Sequence, residues 1–432
     1  MSFKWIFQIR RKVNKTIYRI FQIPVLRVIN KHNKTIFYLM GFVPFMYFNT
    51  EKFLLSRYKR KIKQLKNKDS INIGFLVREN CKWSYEQLFN KLQKNKRFNP
   101  IVIIVDTKHP LCDLDKNIEF FKKYKYCVIK NKKWLDKKKI DILFYEQPWF
   151  DLDGDFTPFT LSKHTITLYV PYGVEPDLYD NIMDICTPFY KNLYTSFIFS
   201  EQLISDFKAY GITNVIPVGH PRLDAFSDKP KSNNKIWKSK DKVRIIYAPH
   251  HTFNGSLHMW ASWEWNGEHI LELAKKYQDT TEWIFKPHPR FKTSLIQLLK
   301  MTPEQADNVF QEWSKVSTLY DTGDYIDLFK TADIMISDCC SFKIEWLPTG
   351  KPFIQLLSHY KNRQGYGKNT DYYSSEYYKA DSIKDIDRLF DMLVNKHCDP
   401  NKNSRQLLAK EIPLDATDKV YKFISDMVSK NK

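Results

Sequence analysis

At 432 residues, 43% hydrophobic and 16% aromatic, the chain has ample material for packed cores and too much length for one. That excludes wholesale disorder and predicts two domains plus an appendage. The net charge of +21 is concentrated at one end, because residues 1–68 hold 17 Lys/Arg against one acid, Glu51, leaving only +5 for the rest.

Those first 68 residues interleave Trp5, Ile6, Phe7, Ile9, Val13, Ile17, Tyr18, Ile20 and Phe21 with Arg10, Arg11, Lys12, Lys15 and Arg19. Much of this falls at helical spacing and predicts a basic amphipathic helix. A second apolar run, TIFYLMGFVPFMYF, covers residues 35–48 and is interrupted by Pro44. It is shorter than the ~20 residues a spanning helix needs, so it reads as interfacial. The basic run RYKRKIKQLKNK follows and suits anionic headgroups. A basic cap packed on the chain's own core and a nucleic-acid-binding tail compete with this reading. The apolar run favours an anionic membrane surface, and no nucleic acid is expected. Seven cysteines, odd in number and without a C-x-x-C pair, argue against a disulfide framework or structural zinc and for a reducing cytoplasm. With no secretory signal evident, the expected location is the cytoplasmic face of the cell membrane, peripherally attached.

After residue 68 the pattern changes. INIGFLV (71–77), NPIVIIVD (99–106), DILFYEQ (141–147), TITLYVPYG (165–173) and SFIFS (196–200) are short apolar runs separated by helical stretches, and NVIPVGHPRLDAF closes the series. The linker SDKPKSNNK follows. KVRIIYAP, TEWIFKPHPR, VSTLYD, ADIMISD and KPFIQLL then repeat the design, and LDATDKVYKFISDMVSKNK reads as a closing helix. The fold expected is α/β, with two doubly wound halves, parallel sheets and a cleft between them. The boundaries are 1–68 for the basic segment, 69–226 and 235–400 for the halves, and 401–432 for the closing helix. Ligands in such sheets bind beyond the carboxyl ends of strands, where the chemistry-bearing stretches fall.

In FKPHPRF a strand ends in Lys286, His288 and Arg290, stiffened by two prolines. The functional reading is an anion site holding phosphate oxygens; an ordinary polar strand exit is the bland one. In ADIMISDCCSFKIEWLPTGKPF a buried strand runs into Ser337, Asp338, Cys339, Cys340 and Ser341 before a helix. Free N–H groups there suit a diphosphate, Ser341 adds a hydroxyl, and Glu345, one turn on, suits ribose hydroxyls. A merely capped helix is the alternative. The paired cysteines are poor disulfide partners on a tight turn.

Together GHPRLDAF, IIYAPHHTF, FKPHPR and YDTGDYIDLFKTADIMISDCCSFKIEWLPTGKPFIQL resemble the CDP-glycerol glycerophosphotransferase family, the teichoic-acid and capsule polymerases of the GT-B fold. The resemblance covers roughly residues 200–360 and implies a first half for the acceptor and a second for the nucleotide donor. It implies that His288 contacts the donor phosphate, that Ser341 and the backbone near Cys340 cradle the diphosphate, and that Glu345 faces the ribose. Lys286, Arg290, Ser337 and Asp338 complete the donor side. Cys339 and Cys340 replace the family's Tyr and first Ser. The family's Trp-His-Gly, whose His is its proposed base, appears here as VPYGVEP with Tyr172 at that place. Tyr172, Gly173, His164 and Arg222 are the acceptor-side residues to examine.

The missing base throws weight onto YAPHHTF. Consecutive residues on a strand point opposite ways, so His250 and His251 cannot share a metal if the segment is extended. In a turn, either supplies a general base of near-neutral pKa, with a backbone-bonded structural histidine as the plain alternative. No acidic cluster stands beside the phosphate motifs, so neither metal nor cofactor is expected. The resemblance implies attack by an acceptor hydroxyl on a CDP-linked polyol, with a lipid-linked or polymeric glycan as acceptor and CMP leaving. A GT-B glycosyltransferase using a nucleotide sugar for capsule or lipopolysaccharide synthesis is the first rival. A non-enzymatic basic binder is the second, and a nucleotide-sugar 2-epimerase shares the architecture.

Overall fold

The structure is a computed structural model and describes residues 7–12, 15–20, 23–31, 34–40, 43–106, 113–131, 133–149, 154–230, 236–256, 258–320 and 325–429. Trp5, Ile6, Val13 and Phe21 of the expected helix, residues 231–235 of the linker and residues 321–324 lie outside them. The chain divides into two compact units. One comprises Met1–Gly173, Leu178–Pro221 and Asp415–Lys432; the other comprises Val174–Asp177 and Arg222–Leu414.

The first unit begins with β1 (Phe7–Lys12), β2 (Lys15–Ile20), β3 (Ile23–Lys31), β4 (Lys34–Leu39) and β5 (Val43–Asn49), an antiparallel meander in chain order. This corrects the helix expected there. Lys12 pairs Lys15, Ile20 pairs Ile23 and Lys31 pairs Lys34, so each connection has two residues, the hairpin length. Ile, Val, Thr, Tyr and Phe dominate these runs and prefer a pleated surface. Pro24 and Pro44, which a helix interior would reject, fall at the second residues of β3 and β5. The helix Thr50–Lys66 follows and buries Leu54, Tyr58 and Leu65 in the core of this unit. The Tyr58 hydroxyl reaches Thr167 Oγ1 at 2.6 Å and donates to the carbonyl of Asn192 at 2.7 Å. The basic run is thus partly a cap on its own core. No helix among the described residues is long and apolar enough to cross a membrane.

A parallel sheet forms the body of this unit: β6 (Ile71–Val77), β7 (Phe98–Val105), β8 (Tyr126–Ile129), β9 (Ile142–Tyr145), β10 (Ile166–Tyr169), β11 (Thr195–Ile198) and β12 (Val215–Pro217), in the order β12-β11-β10-β9-β6-β7-β8. Apolar runs without alternation, such as ILFY of β9, are buried on both faces, as a helix-covered parallel sheet requires. Gly74 in β6 answers a close approach, since a Cβ there would meet Ile103 Cδ1 at 2.6 Å and Leu143 Cδ1 at 2.8 Å. The last helix, Ala416–Met427, packs Ala416, Val420 and Ile424 into this same core.

The second unit holds β13 (Val243–Ala248), β14 (Thr281–Phe285), β15 (Ser317–Leu319), β16 (Ile334–Ser337), β17 (Phe353–Leu356) and β18 (Tyr378–Ala380), all parallel, in the order β15-β14-β13-β16-β17-β18. Ile245, Tyr247, Phe285, Ile336 and Ile354 centre its core, and Trp313 stacks on Phe285 at 4.7 Å between ring centroids. Both parallel sheets are doubly wound, the α/β architecture expected.

Candidate functional site

In the second sheet the strand order reverses at β13, which lies between β14 and β16. In open α/β sheets the loops leaving the carboxyl ends at such a reversal diverge, and ligands bind there. β13 stops at Pro249, which has no N–H to continue the ladder. Beyond it, the N–H of His250 donates to Asp338 Oδ1 at 2.6 Å, and Ser262 donates to Oδ2 from its N–H at 2.6 Å and its hydroxyl at 2.8 Å. Asp338 is fully buried, and desolvation pushes its carboxyl up to about 6 despite those donors. The Ser337 hydroxyl donates to the carbonyl of Ala248 at 2.6 Å and accepts the N–H of Cys339 at 3.0 Å. Ser337 and Asp338 therefore hold the loops in place. The carbonyls of Tyr247 and Pro249 accept from the N–H groups of Lys286 and His288, which brings FKPHPR beside YAPHH.

The outcome is a cluster of three imidazoles. Ring centroids are 4.7 Å apart for His250 and His251, 5.1 Å for His250 and His288, and 4.0 Å for His251 and His288. One ring nitrogen of each lies within 4.8 Å of the others. The strand argument against a shared site fails because the pair sits past the end of β13, where alternation no longer applies. Burial holds all three well down from the usual histidine range, His251 to about 4, helped by the neighbouring imidazoles and by Arg290. Such rings are neutral at pH 7 and are weak bases. The reading of His250 or His251 as a base of near-neutral pKa is corrected on that ground.

Around the trio stand cations. The Lys286 ammonium is nine-tenths buried over the faces of Tyr320, Tyr325 and Phe342 at 5.3, 4.8 and 5.9 Å, a desolvated cation–π arrangement. Arg290 is exposed, and its N–H donates to His288 Nδ1 at 3.1 Å. Glu345, at 1% exposure, accepts from Tyr325, which in turn accepts from Arg222; the Arg222–Glu345 pair measures 3.5 Å. The N–H of Val174 also donates to Glu345. Glu345 thus has its oxygens engaged by Tyr325, Arg222 and Val174, and Arg222 packs with this unit. Cys340 and Ser341 remain half-buried at the start of the helix Cys340–Trp346, and Ser341 Oγ lies 3.5 Å from Cys339 Sγ.

Three groups escaped the sequence reading. Glu175 makes no hydrogen bond among the described residues, and desolvation pushes its carboxyl up to about 7. Its peptide is pinned on both sides, by Val174 to Glu345 and by Asp177, whose carboxylate accepts from Asn369 and Thr370 at 2.7–3.0 Å. The signal lay in VPYGVEP, two residues past Gly173. Lys343 is wholly buried, 3.1 Å from the Tyr366 ring centroid, without a hydrogen bond at Nζ, and burial brings it down to about 7. Glu146, the third, ends β9 in the first unit at that sheet's own reversal. Its carboxylate accepts from the N–H groups of Arg78 at 2.9 Å and Glu79 at 3.1 Å. Burial raises it to about 8, opposed by Lys82 and those donors.

Also in the first unit, Tyr172 meets Trp149 edge-on at 5.8 Å, with the Lys82 ammonium 5.4 Å from its ring. Gly173 is buried with open space where a Cβ would project. His164 is exposed and precedes β10, whereas Tyr172 follows it, so the two occupy opposite ends of that strand.

Comparison with curated protein sequences finds no match. Solved structures resemble the chain in fold. A UDP-GlcNAc 2-epimerase from Neisseria meningitidis bound to UDP-GlcNAc is 16% identical at a TM-score of 0.53, covering 83% of this chain and all of its own. A putative UDP-N-acetylglucosamine 2-epimerase from Listeria monocytogenes is 14% identical at 0.55, covering 84% and 98%. The wall teichoic acid polymerase TagF, as its H444N form with CDPG, is 10% identical at 0.54, covering 88% and 95%. These likenesses establish the two-sheet GT-B-like fold. The family model described as CDP-Glycerol:Poly(glycerophosphate) glycerophosphotransferase matches residues 191–412, just over half of the chain and including the whole imidazole cluster. The chain belongs to the CDP-glycerol glycerophosphotransferase family and is an enzyme of that type.

Proposed function

We propose that the protein transfers a polyol phosphate, glycerol phosphate or a close relative, from a CDP-activated donor to a hydroxyl of a cell-surface glycopolymer or lipid-linked acceptor. The observation that carries the reading is the convergence of His250, His251 and His288 with Lys286 and Arg290 at the carboxyl edge of the second sheet, inside the family match. In the reaction the acceptor oxygen bonds to the β-phosphorus as the bond from that phosphorus to CMP breaks, and CMP leaves with the electron pair. Little covalent work falls to the protein; fixed cations and N–H donors around the diphosphate supply most of the stabilisation. The acceptor proton goes to Glu175, which adjoins Val174, whose N–H is bonded to Glu345 and so to Tyr325, the ring beneath Lys286; its carboxyl, raised to about 7, suits a base at neutral pH.

The uneven charge supports a second part of the reading, attachment to an anionic bilayer surface at the cytoplasmic face, since 16 of the 21 net positive charges lie in residues 1–68. Co-sedimentation with vesicles of phosphatidylglycerol, abolished by salt and absent with neutral lipid, is the expected result; equal binding to both would remove that part. For the transfer itself, the test is to incubate the full chain separately with CDP-glycerol, UDP-sugars and CDP-sugars plus membrane acceptor and to identify the nucleotide released. CMP from CDP-glycerol is expected. Release of a nucleoside diphosphate from a sugar donor would move the protein to the glycosyltransferases.

A further inference from the structure

We propose that the apolar hairpin turns at one end of the β1–β5 meander enter an anionic phospholipid bilayer tips first, so that this sheet, rather than a flat-lying helix, seats the protein on its membrane. This rests on the attachment read above from the charge of residues 1–68 and adds which element makes the contact and how. The two ends of the meander differ in kind. At one, Lys12 pairs Lys15 and Lys31 pairs Lys34, and the turns between them are Val13-Asn14 and His32-Asn33. Asparagine tolerates the positive φ that tight hairpin turns demand. At the other, Ile20 pairs Ile23 across Phe21-Gln22, and Leu39 pairs Val43 across Met40-Gly41-Phe42. Phe7, at the start of β1, pairs Ile20 and joins that end. Large apolar residues thus occupy places where turn chemistry asks for Asn, Asp or Gly. Among the described ones, Leu39 and Met40 are each 51% exposed.

A local accident does not account for this end, because it is built twice. The motif KTIY at Lys15–Tyr18 returns as KTIF at Lys34–Phe37. Each copy shifts register directly after its aromatic residue, between Tyr18 and Arg19 and between Phe37 and Tyr38, and then runs into an apolar turn. The chain leaves the meander at the opposite, lysine end. There Lys34 pairs Asn49, and the helix Thr50–Lys66 follows at once, burying Leu54, Tyr58 and Leu65 in the core of the unit. The lysine end is thereby tied to the body of the unit, while Leu39 and Met40 at the other stay half exposed. Charge selects what covers them. Arg19 immediately precedes Ile20, and Arg27 lies over the ring of Tyr38, the residue before Leu39, at 5.3 Å. With 17 Lys/Arg against one acid in residues 1–68, the surface complementary to this end is apolar within and anionic at its rim, the order that a bilayer of acidic phospholipids presents. Backbone groups of a turn find no partners in hydrocarbon, so the turns reach only the boundary between headgroups and acyl chains, ~5–10 Å deep. Apolar contact and charge then act together, as firm anchoring requires.

The test uses the full-length protein with monolayers and vesicles of phosphatidylglycerol. Wild type injected beneath a monolayer of constant area should raise the surface pressure, because inserted side chains crowd the lipid, whereas adsorption by charge alone leaves the pressure unchanged. The double change Leu39→Asp with Met40→Asp should abolish that rise and weaken vesicle co-sedimentation by at least ~10-fold. Leu39→Ser with Met40→Ser, which adds no charge, should abolish the rise as well. Lys15→Gln, at the other end of the meander, should keep the rise and bind vesicles within ~3-fold of wild type. Circular dichroism melts establish that each variant is folded, and the Ser pair stands in should the Asp pair fail to fold. A wild type that sediments with phosphatidylglycerol without raising the pressure overturns the proposal and leaves the attachment standing; one that does not sediment removes both. Vesicle binding and pressure rise unchanged in the folded double variants also overturn it. So does a wild type that is dimeric by light scattering without lipid and becomes monomeric on the Ser changes, since the turns would then cover a second copy.

Discussion

The two parallel sheets reverse their strand order in the same way yet finish their carboxyl edges differently. At the reversal in the first, Glu146 is closed onto the N–H groups of Arg78 and Glu79, and Lys82 is held by Glu79 at 2.7 Å and by Gln147. The Tyr85 hydroxyl bridges the carbonyls of Tyr145 and Val170. The carboxylate and ammonium there are taken up by neighbouring groups. At the reversal in the second, a clamp of the same kind, Asp338, organises the loop, and beside it three imidazoles are brought within 4.0–5.1 Å of one another, centroid to centroid. Topology locates where a ligand can bind in each sheet, and the second edge adds a cluster of imidazoles beside Lys286 and Arg290 that the proposed transfer uses.

Changes on the two edges should therefore differ most in turnover. His288→Ala removes a donor at the phosphate side and should lower CMP release by ~10²–10³-fold with little loss of thermal stability. Tyr172→Phe on the first sheet keeps the edge-on contact with Trp149 and should stay within a few-fold of wild type in the same assay. Equal losses from both would erase the distinction.

Glu175→Gln should cost ~10²-fold or more in kcat. As a base, Glu175 works when deprotonated, so wild-type kcat should climb as pH rises through about 7 and level off above, an arm the Gln variant lacks. A variant with an unchanged pH–rate profile would free Glu175 of the role.

Asp338→Ala should act on folding instead. It strands the N–H of His250 and two donors of Ser262 in a buried site, for a loss of ~3 kcal/mol in a denaturant titration. A loss below ~1 kcal/mol would mean the loop does not depend on it.

The smallest effects are pH-linked and opposite in sign. His251 binds its proton more weakly folded, at about 4, than unfolded, near 6.5. Its contribution is present above 6.5 and lost as pH falls from there to about 4. Allowing for its partial exposure, His251→Asn should remove on the order of 2 kcal/mol of that acid sensitivity. Glu146, raised to about 8, favours the protonated folded form; its contribution is full below 4.5 and lost as pH rises through 8. Glu146→Gln should flatten that alkaline fall, as followed by thermal melts across pH.

The sheets were legible because parallel strands are buried on both faces and read as unbroken apolar runs. INIGFLV is β6 to the residue, and RIIYA, EWIF and IMIS all lie within second-unit strands. Edge strands such as β8, with Tyr126 and Val128 exposed, gave no such run. The first 49 residues misled because aromatic and β-branched residues among charges fit helical and strand spacing alike. A repeat pointed to the strands, since KTIY at Lys15–Tyr18 and KTIF at Lys34–Phe37 each open one, β2 and β4. At the site, HH and HP were visible as residue types at strand ends. Their meeting was not, because it depends on two parallel neighbours stopping in register. The partners of Glu345 were equally hidden, since nothing in its spacing reveals that Arg222 and Tyr325 reach it.

The central claim is that the imidazole edge of the second sheet handles the donor phosphates, and identification of the nucleotide released from CDP-glycerol by wild-type and His288→Ala protein tests it most directly. The account predicts CMP from the wild type and its near-complete loss in a variant that still folds. CMP release undiminished by His288→Ala would contradict it.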